Sequence, residues 1–130
     1  MSSKQHNLGR WGEDCAAEYL RSKNYTILER NVRTPYGEID LIASQETIKV
    51  AEHSLPIIVF VEVKTRSSAA YGLPEESITH TKMAHMHESA QAYLQNHPEL
   101  ENDWRIDVIS IRCSISGEEP EIIHFENAIS

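Results

Sequence analysis

Two apolar segments that contain charged residues constrain the fold of this chain most strongly. The segments GEIDLIA (37–43) and VFVEVKTR (59–66) are rich in aliphatic and β-branched residues, which are typical of buried strands. The first segment contains Asp40, and the second contains Glu62 and Lys64. Burying a carboxylate costs several kcal/mol, by order of magnitude, unless a cation or hydrogen-bond donors compensate its charge. The fold must therefore bring a cation close to these carboxylates.

Strand geometry predicts which of these side chains share a face of the sheet. Because side chains alternate along a strand, Glu62 and Lys64 are expected on one face, about 7 Å apart. Glu38, Asp40 and Ile42 are expected to share a face in the same way, so a suitable register would set Asp40 beside Glu62. Two interpretations stay open at this point. One is a structural salt bridge to Lys64, and the other is a site for a hard divalent cation such as Mg²⁺ or Mn²⁺.

Hydrophobic periodicity and turn residues predict two helices and five strands. The helices are expected at residues 8–22 and 77–96, and the strands at residues 25–33, 39–43, 57–66, 105–112 and 121–125. A hairpin turn is expected at residues 34–37, a polar loop at 44–56 with room for a short strand at 47–50, and a flexible connection at 67–76. The order α-β-β-β-α-β-β predicts an α/β fold with a central mixed sheet flanked by helices and the third strand as its most buried element.

The length of 130 residues fits one domain, with residues 1–7 expected as a flexible tail. The longest apolar run, residues 55–61, is far shorter than the ~20 residues that cross a bilayer. No export signal is visible, so the expected location is the cytoplasm. Cys15 and Cys113 fit neither a metal-binding spacing nor a disulfide framework and are expected to be reduced core thiols. His80, His85 and His87 lack the spacing of a helical zinc site and are expected on an exposed helix surface.

The net charge of −8 is unevenly distributed along the chain. Residues 1–66 contain nine Lys and Arg and nine Asp and Glu, whereas residues 67–130 contain three and eleven. A polyanion is therefore expected to approach the first half. Six of the nine basic residues there are Arg21, Lys23, Arg30, Arg33, Lys64 and Arg66.

The order of the charged motifs resembles a known family. A helix that reads LGRWGEDCAAEYL (8–20) precedes GEIDLIA and VFVEVKTR, and a helix with a lysine near its start follows, before RIDVISI (105–111). This pattern resembles the YraN-like family of bacterial proteins, which is similar to archaeal Holliday-junction resolvases and, more broadly, to the PD-(D/E)XK restriction-endonuclease-like nucleases. A D…ExK pattern alone occurs often by chance, but the flanking GEID, EVKTR and GxxxE make the match specific. The resemblance implies a restriction-endonuclease-like three-layer core.

The resemblance also implies roles for individual residues. Asp40 and Glu62 match the metal-binding carboxylates, and Lys64 matches the lysine that positions the attacking water and stabilises charge on the phosphate. Glu13, the last residue of the GxxxE pattern, matches the catalytic glutamate of the first helix. Helical geometry alone does not distinguish Glu13 from Glu18.

Three further positions have less specific expectations. Arg66 and Lys82 match residues that contact phosphate, and each also fits an ordinary solvated cation. Glu38 is expected either as an outer ligand or simply as an exposed side chain. Gly37 is expected to supply a backbone conformation at the turn.

These matches imply a Mg²⁺- or Mn²⁺-dependent endonuclease that hydrolyses phosphodiester bonds in DNA, in particular branched or junction DNA. Its partner would be DNA or another nucleic acid rather than a membrane. The resemblance to junction-resolving enzymes also implies a homodimer, because a four-way junction presents symmetric strands. The alternative is a non-catalytic nucleic-acid-binding or scaffold module on the same fold. The acidic composition and the few basic residues of the second half favour weak or assisted DNA binding. A carboxylate-pair sugar hydrolase fits less well, because a lysine shares the strand face with Glu62.

Overall fold

The chain folds into two helices and five strands in the predicted order. The computed structural model describes residues 3–46, 56–66, 79–100, 103–113 and 119–128, with side chains from residue 8 onward. The elements are α1 (Ser3–Ser22), β1 (Tyr25–Thr34), β2 (Gly37–Gln45), β3 (Ile57–Arg66), α2 (His80–Gln95), β4 (Trp104–Arg112) and β5 (Glu121–Phe125). The short strand considered at residues 47–50 and the connection at residues 67–76 lie outside the described residues.

The five strands form one mixed sheet in the order β1-β2-β3-β4-β5. β1, β2 and β3 form an antiparallel meander, β3 and β4 are parallel, and β4 and β5 are antiparallel. The parallel pair arises because the chain returns through α2, as a parallel connection requires. The prediction that β3 is the most buried element is wrong by a small margin. Five of its ten residues are buried, against six of nine in β4, because the last residues of β3 border an open cavity.

One helix covers each face of the sheet, which gives the predicted α/β layers. The core on the α1 side contains Ala16, Ala17, Leu20, Tyr25, Leu41, Ala43, Val59, Val61, Ile109 and Ile111. The core on the α2 side contains Ile39, Ile42, Ile58, Phe60, Ala90, Tyr93 and Ile106. The alternation predicted for β3 is confirmed, since Val59 and Val61 belong to the first core and Ile58 and Phe60 to the second.

Small residues allow α1 to lie close to the end of β3. Ala16 is fully buried, and a β carbon added at Gly12 would overlap the side chain of Thr65. Gly12 therefore permits a contact that any other residue would prevent. Trp11, which the predicted apolar stripe included, is 36% exposed. Successive residues are rotated by ~100° around a helix, so Trp11 lies at the side of α1 when Gly12 faces the sheet.

The two helices begin at positions other than those predicted. α1 begins at Ser3, so residues 3–7, which were assigned to a tail, continue the helix. These polar residues have no apolar periodicity that could have indicated this. α2 begins at His80 because the Thr79 side chain accepts a hydrogen bond from the Lys82 amide at 3.1 Å and caps the helix. Neither helix is, within the described ranges, long and apolar enough to cross a membrane.

A buried polar network links β5 to the centre of the sheet. Asp107 on β4 is fully buried and accepts hydrogen bonds from Arg105 Nε at 2.9 Å, His124 Nε2 at 2.7 Å and the Asn127 amide at 2.9 Å. Burial alone would raise the pKa of Asp107, but these hydrogen bonds outweigh burial and lower it below its ordinary value. Arg105 also donates to the Tyr25 hydroxyl at 2.8 Å, so the network joins β1, β4 and β5.

Glycine-to-alanine substitutions in α1 test the close packing against β3. Gly12→Ala should lower the free energy of unfolding by about 1–3 kcal/mol, because the new methyl group overlaps Thr65. Gly9→Ala is the matched control, since nothing lies within 4 Å of its added β carbon. It should raise stability by about 0.5–1 kcal/mol through helix propensity alone. Urea unfolding measures both, and equal effects of the two substitutions would contradict the packing.

Replacing Asp107 by Ala should destabilise the protein by about 3–5 kcal/mol, because Arg105 would lose its buried partner. Glu126→Ala provides the comparison. Glu126 lies 3.8 Å from the same arginine, but its side chain is 61% exposed. Its loss should cost about 0–1 kcal/mol. A thermal or urea unfolding series in which both substitutions cost the same would rule out this role for Asp107.

Candidate active site

Strands β2 and β3 separate at the level of Asp40. Their pairing ends at Leu41 and Val61, and the chains diverge beyond these residues. Asp40 Oδ2 accepts a hydrogen bond from the Val63 amide at 2.8 Å. In a continuous ladder, a carbonyl of the neighbouring strand would accept this amide hydrogen bond. Here the Asp40 carboxylate takes the place of that carbonyl. Asp40 is held at the fork between the two strands.

A local irregularity in β1 and β2 accompanies this fork. Asn31 lies opposite Asp40, between the pairs Arg30–Leu41 and Val32–Ile39, and adopts a positive φ of 53°. Ile39 packs in the α2-side core together with Ile42. The strict alternation predicted for residues 38–42 is therefore wrong, because a regular strand would place Ile39 and Ile42 on opposite faces.

Glu62 on β3 is buried and contacts two lysines. Glu62 is 7% exposed. Its Oε1 lies 3.4 Å from Lys64 Nζ and 2.8 Å from Lys82 Nζ. Lys64 lies on the same face of β3, as predicted, whereas Lys82 comes from the first turn of α2. The hydrogen bond with Glu62 raises the pKa of Lys82. The salt bridge that strand geometry allowed is therefore present, with a second lysine added.

Asp40 and Glu62 form an electrostatically strained pair. Burial raises the pKa of Asp40 to about 7, and the negative charge of Glu62 adds to this effect. The hydrogen bond from the Val63 amide acts in the opposite direction, and the charge of Glu13 contributes a smaller increase. Two carboxylates that repel each other in a partly buried site would be stabilised by an added cation.

Glu13 reaches the same cavity from α1. Its side chain is 19% exposed, and burial raises its pKa although Asn31 and Arg30 oppose this shift. The Asn31 amide, with its nitrogen directed toward the carboxylate, donates to Glu13 Oε1 at 3.0 Å. Glu18, which helical geometry did not exclude, has a 76% exposed side chain that pairs with Arg21. Tertiary packing thus distinguishes the two glutamates.

An open cavity of about 470 Å³ brings these acids together. It is lined by Leu8, Gly9, Glu13, Asp40, Glu62, Val63 and Thr65. The cavity lies where α1 approaches the diverging ends of β2 and β3. It is large enough to admit a hydrated ion and a phosphate group.

The donor set fits a hard divalent cation. Asp40 and Glu62 supply carboxylate oxygens, and such an ion would relieve the repulsion between these two carboxylates. In the part of the chain that the structure describes, no group of three or more His, Cys, Asp or Glu side chains is arranged to hold a metal ion. Mg²⁺ commonly uses only one or two carboxylates and retains several waters, so two acids beside an open cavity satisfy it.

The other predicted residues lie at the periphery of the cavity or outside it. Arg66 is at the end of β3, and its buried Nε has no hydrogen-bond partner among the described residues. The Glu38 side chain is 45% exposed, which agrees with the expectation of an exposed side chain rather than an outer ligand. Gly37 adopts a φ of 146° next to the hairpin turn, as expected of its backbone role. His80, His85 and His87 are exposed on α2.

Asn31 is a site residue that the sequence did not single out. It bonds Glu13, and it also donates to Glu38 Oε1 at 3.2 Å when the same amide orientation is used. Asparagine is depleted in strands and tolerates a left-handed backbone, so its occurrence inside an otherwise strand-like segment was the available signal.

Asp40→Asn should stabilise the protein more at about pH 8 than at about pH 5. The folded-state pKa of about 7 exceeds the ordinary value of 3.8, so the folded state binds more protons between these values. Stability from this group therefore falls as the pH rises through that window, and Asn removes the effect. Urea unfolding at both pH values measures the difference. In a Glu62→Gln background the difference should shrink, and an equal effect of Asp40→Asn at both pH values would refute the coupling.

Comparisons with known proteins place the chain in a family. The family model described as "Uncharacterised protein family UPF0102" matches residues 12–111. A UPF0102 protein of Syntrophomonas wolfei is 42% identical over 121 residues, which cover 93% of this chain and 96% of that protein. UPF0102 proteins of Syntrophotalea carbinolica and Geobacter metallireducens are 39% and 41% identical over 128 residues, which cover 98% of this chain and 95% and 96% of those proteins. The predicted YraN-like resemblance is thereby confirmed, and the chain belongs to the protein family UPF0102.

Proposed function

We propose that this protein is a metal-dependent endonuclease that hydrolyses phosphodiester bonds in DNA. The observation that carries the proposal is the strained pair of Asp40 and Glu62 at the fork of β2 and β3, beside an open cavity. A carboxylate with a raised pKa, such as Asp40, beside a second carboxylate in a cavity is typical of catalytic sites. Branched or junction DNA is the substrate class that the resemblance to resolvases suggests.

Asp40 and Glu62 would hold Mg²⁺ or Mn²⁺ as the cofactor. When bound, such an ion lowers the pKa of a coordinated water and neutralises charge on the scissile phosphate. The Val63 amide fixes the orientation of the Asp40 carboxylate, which reduces the reorganisation that binding requires. Glu62 is fixed by its own burial and by its two lysines.

The remaining residues act on the phosphate and the water. Lys64, 3.4 Å from Glu62, would place its ammonium group next to the oxygens on which negative charge develops. Glu13 would accept a proton or a hydrogen bond from the attacking water, and burial raises its pKa, which makes the carboxylate a better proton acceptor. Arg66 and Lys82 are the proposed contacts to flanking phosphates.

The proposed partner is DNA or another nucleic acid, and the proposed assembly is a homodimer. A four-way junction presents pairs of equivalent strands, so two copies of one site would cut it symmetrically. The cytoplasm, where bacterial DNA lies, is the proposed location.

A non-catalytic nucleic-acid-binding or scaffold module is the second candidate function. The pairing of Glu62 with two lysines favours it, because a carboxylate that is already neutralised can serve a structural purpose. Salt-dependent binding of DNA without hydrolysis would select this function.

Incubation with junction, flap and linear DNA in Mg²⁺ or Mn²⁺ tests the endonuclease activity. Asp40→Asn and Glu62→Gln should each reduce the cleavage rate about 1,000-fold or more, because each removes a ligand charge of the cofactor. Lys64→Met should reduce the rate about 100-fold through the loss of one stabilising charge.

Two exposed acids supply matched controls for this assay. Glu18→Gln and Asp103→Asn make the same chemical change outside the cavity and should leave cleavage unchanged. Cleavage by Asp40→Asn or Glu62→Gln at the wild-type rate would count decisively against the proposal.

A further inference from the structure

Glu62 is neutralised by two lysines that belong to different elements. Both ammonium groups lie near Oε1, with Lys82 at 2.8 Å and Lys64 at 3.4 Å. The Glu62 side chain is only 9% exposed, so little solvent screens its charge. One buried oxygen therefore has two monovalent cations around it, in the space beside the carboxylate that a divalent cation bound at about 2.1 Å would also need.

The two lysines differ in how easily they can leave. Lys64 is two residues from Glu62 on the same face of β3, so the strand itself holds it close. Lys82 reaches across from α2, and its side chain is 41% exposed, against 24% for Lys64. Its amide is bonded to Thr79, which fixes the backbone while the four-carbon side chain remains free to rotate. Lys82 can therefore move into solvent with a smaller loss of burial than Lys64.

Lys82 and a divalent cation would compete for Glu62. Each needs the lone pairs of the same carboxylate, and two positive charges at this separation repel each other. The backbone of Lys82 stays in place when its ammonium group leaves Glu62. The Lys82 ammonium group lies 2.8 Å from Glu62, which lines the cavity, so the released group starts from the edge of the space that a phosphate would enter.

We propose that Lys82 is a displaceable counter-ion, which neutralises Glu62 until a divalent cation binds and is then released to contact a substrate phosphate. This inference rests on the proposed function, because it takes Asp40 and Glu62 as the cation site. It adds that cation binding and phosphate binding are coupled through one side chain.

The competition between Lys82 and a divalent cation is tested by measuring Mn²⁺ binding to the full chain without DNA. The EPR signal of free Mn²⁺ reports the unbound ion. Lys82→Met and Lys82→Gln remove the charge and should each raise the affinity about 10-fold. Lys23→Met removes the same charge from an exposed position beyond the end of α1 and should change the affinity less than about 2-fold. In a Glu62→Gln background, Lys82→Met should have no effect, because the shared carboxylate is absent.

The outcomes separate this inference from the proposed function. The counter-ion role of Lys82 is supported if both neutral variants bind Mn²⁺ more tightly and if this gain in affinity disappears in the Glu62→Gln background. Unchanged or weaker binding in both variants overturns it, and leaves the proposed function intact if the wild type binds Mn²⁺. Failure of the wild type and both variants to bind Mn²⁺ overturns both proposals.

A second measurement tests the release step. Binding of a fluorescently labelled oligonucleotide is compared in Ca²⁺ and in EDTA, for the wild type and for Lys82→Met. The substitution should weaken binding in Ca²⁺ by about 5-fold or more and have a smaller effect in EDTA, where Lys82 is paired with Glu62. An equal loss under both conditions would overturn the release.

Discussion

The separation of β2 from β3 beyond Leu41 and Val61 is the constraint on which the candidate site depends. Because the ladder between β2 and β3 stops there, the Val63 amide has no backbone partner on β2 and bonds the Asp40 side chain instead. The same opening leaves the end of β3 uncovered, so α1 can approach through Gly12 and bring Glu13 to the cavity. A residue larger than glycine at position 12 would push α1 away from β3 and so move Glu13 away from Asp40 and Glu62.

Two aspartates in this fold illustrate how a site differs from a structural support. Asp107 is fully buried, but three donors satisfy it and its pKa is lowered. Asp40 has one backbone donor and a second carboxylate nearby, and its pKa is raised to about 7. The satisfied carboxylate stabilises the sheet, whereas the under-compensated one carries free energy that a cation can release on binding. The two lysines at Glu62 supply only part of that compensation.

Residue patterns predicted the elements that have strong periodicity. β3 and β5 have the predicted bounds, and the alternation along β3 correctly set Glu62 and Lys64 on one face. The predictions were wrong where a local irregularity interrupts the period, as at Ile39, or where a glycine changes the buried side of a helix, as at Trp11. Periodicity assumes a regular backbone, so it cannot indicate the positive φ of Asn31.

The sequence by itself determined the order of the elements, the α/β class and the presence of carboxylates within apolar strands, because these follow from local periodicity and the cost of burying charge. Only the tertiary structure decided that β2 and β3 part at Asp40, that Glu13 rather than Glu18 faces the cavity, and that Lys82 crosses from α2 to Glu62. These features depend on contacts between residues that are far apart in the chain. No local pattern encodes the distance between such residues, because packing of the whole sheet and both helices sets it.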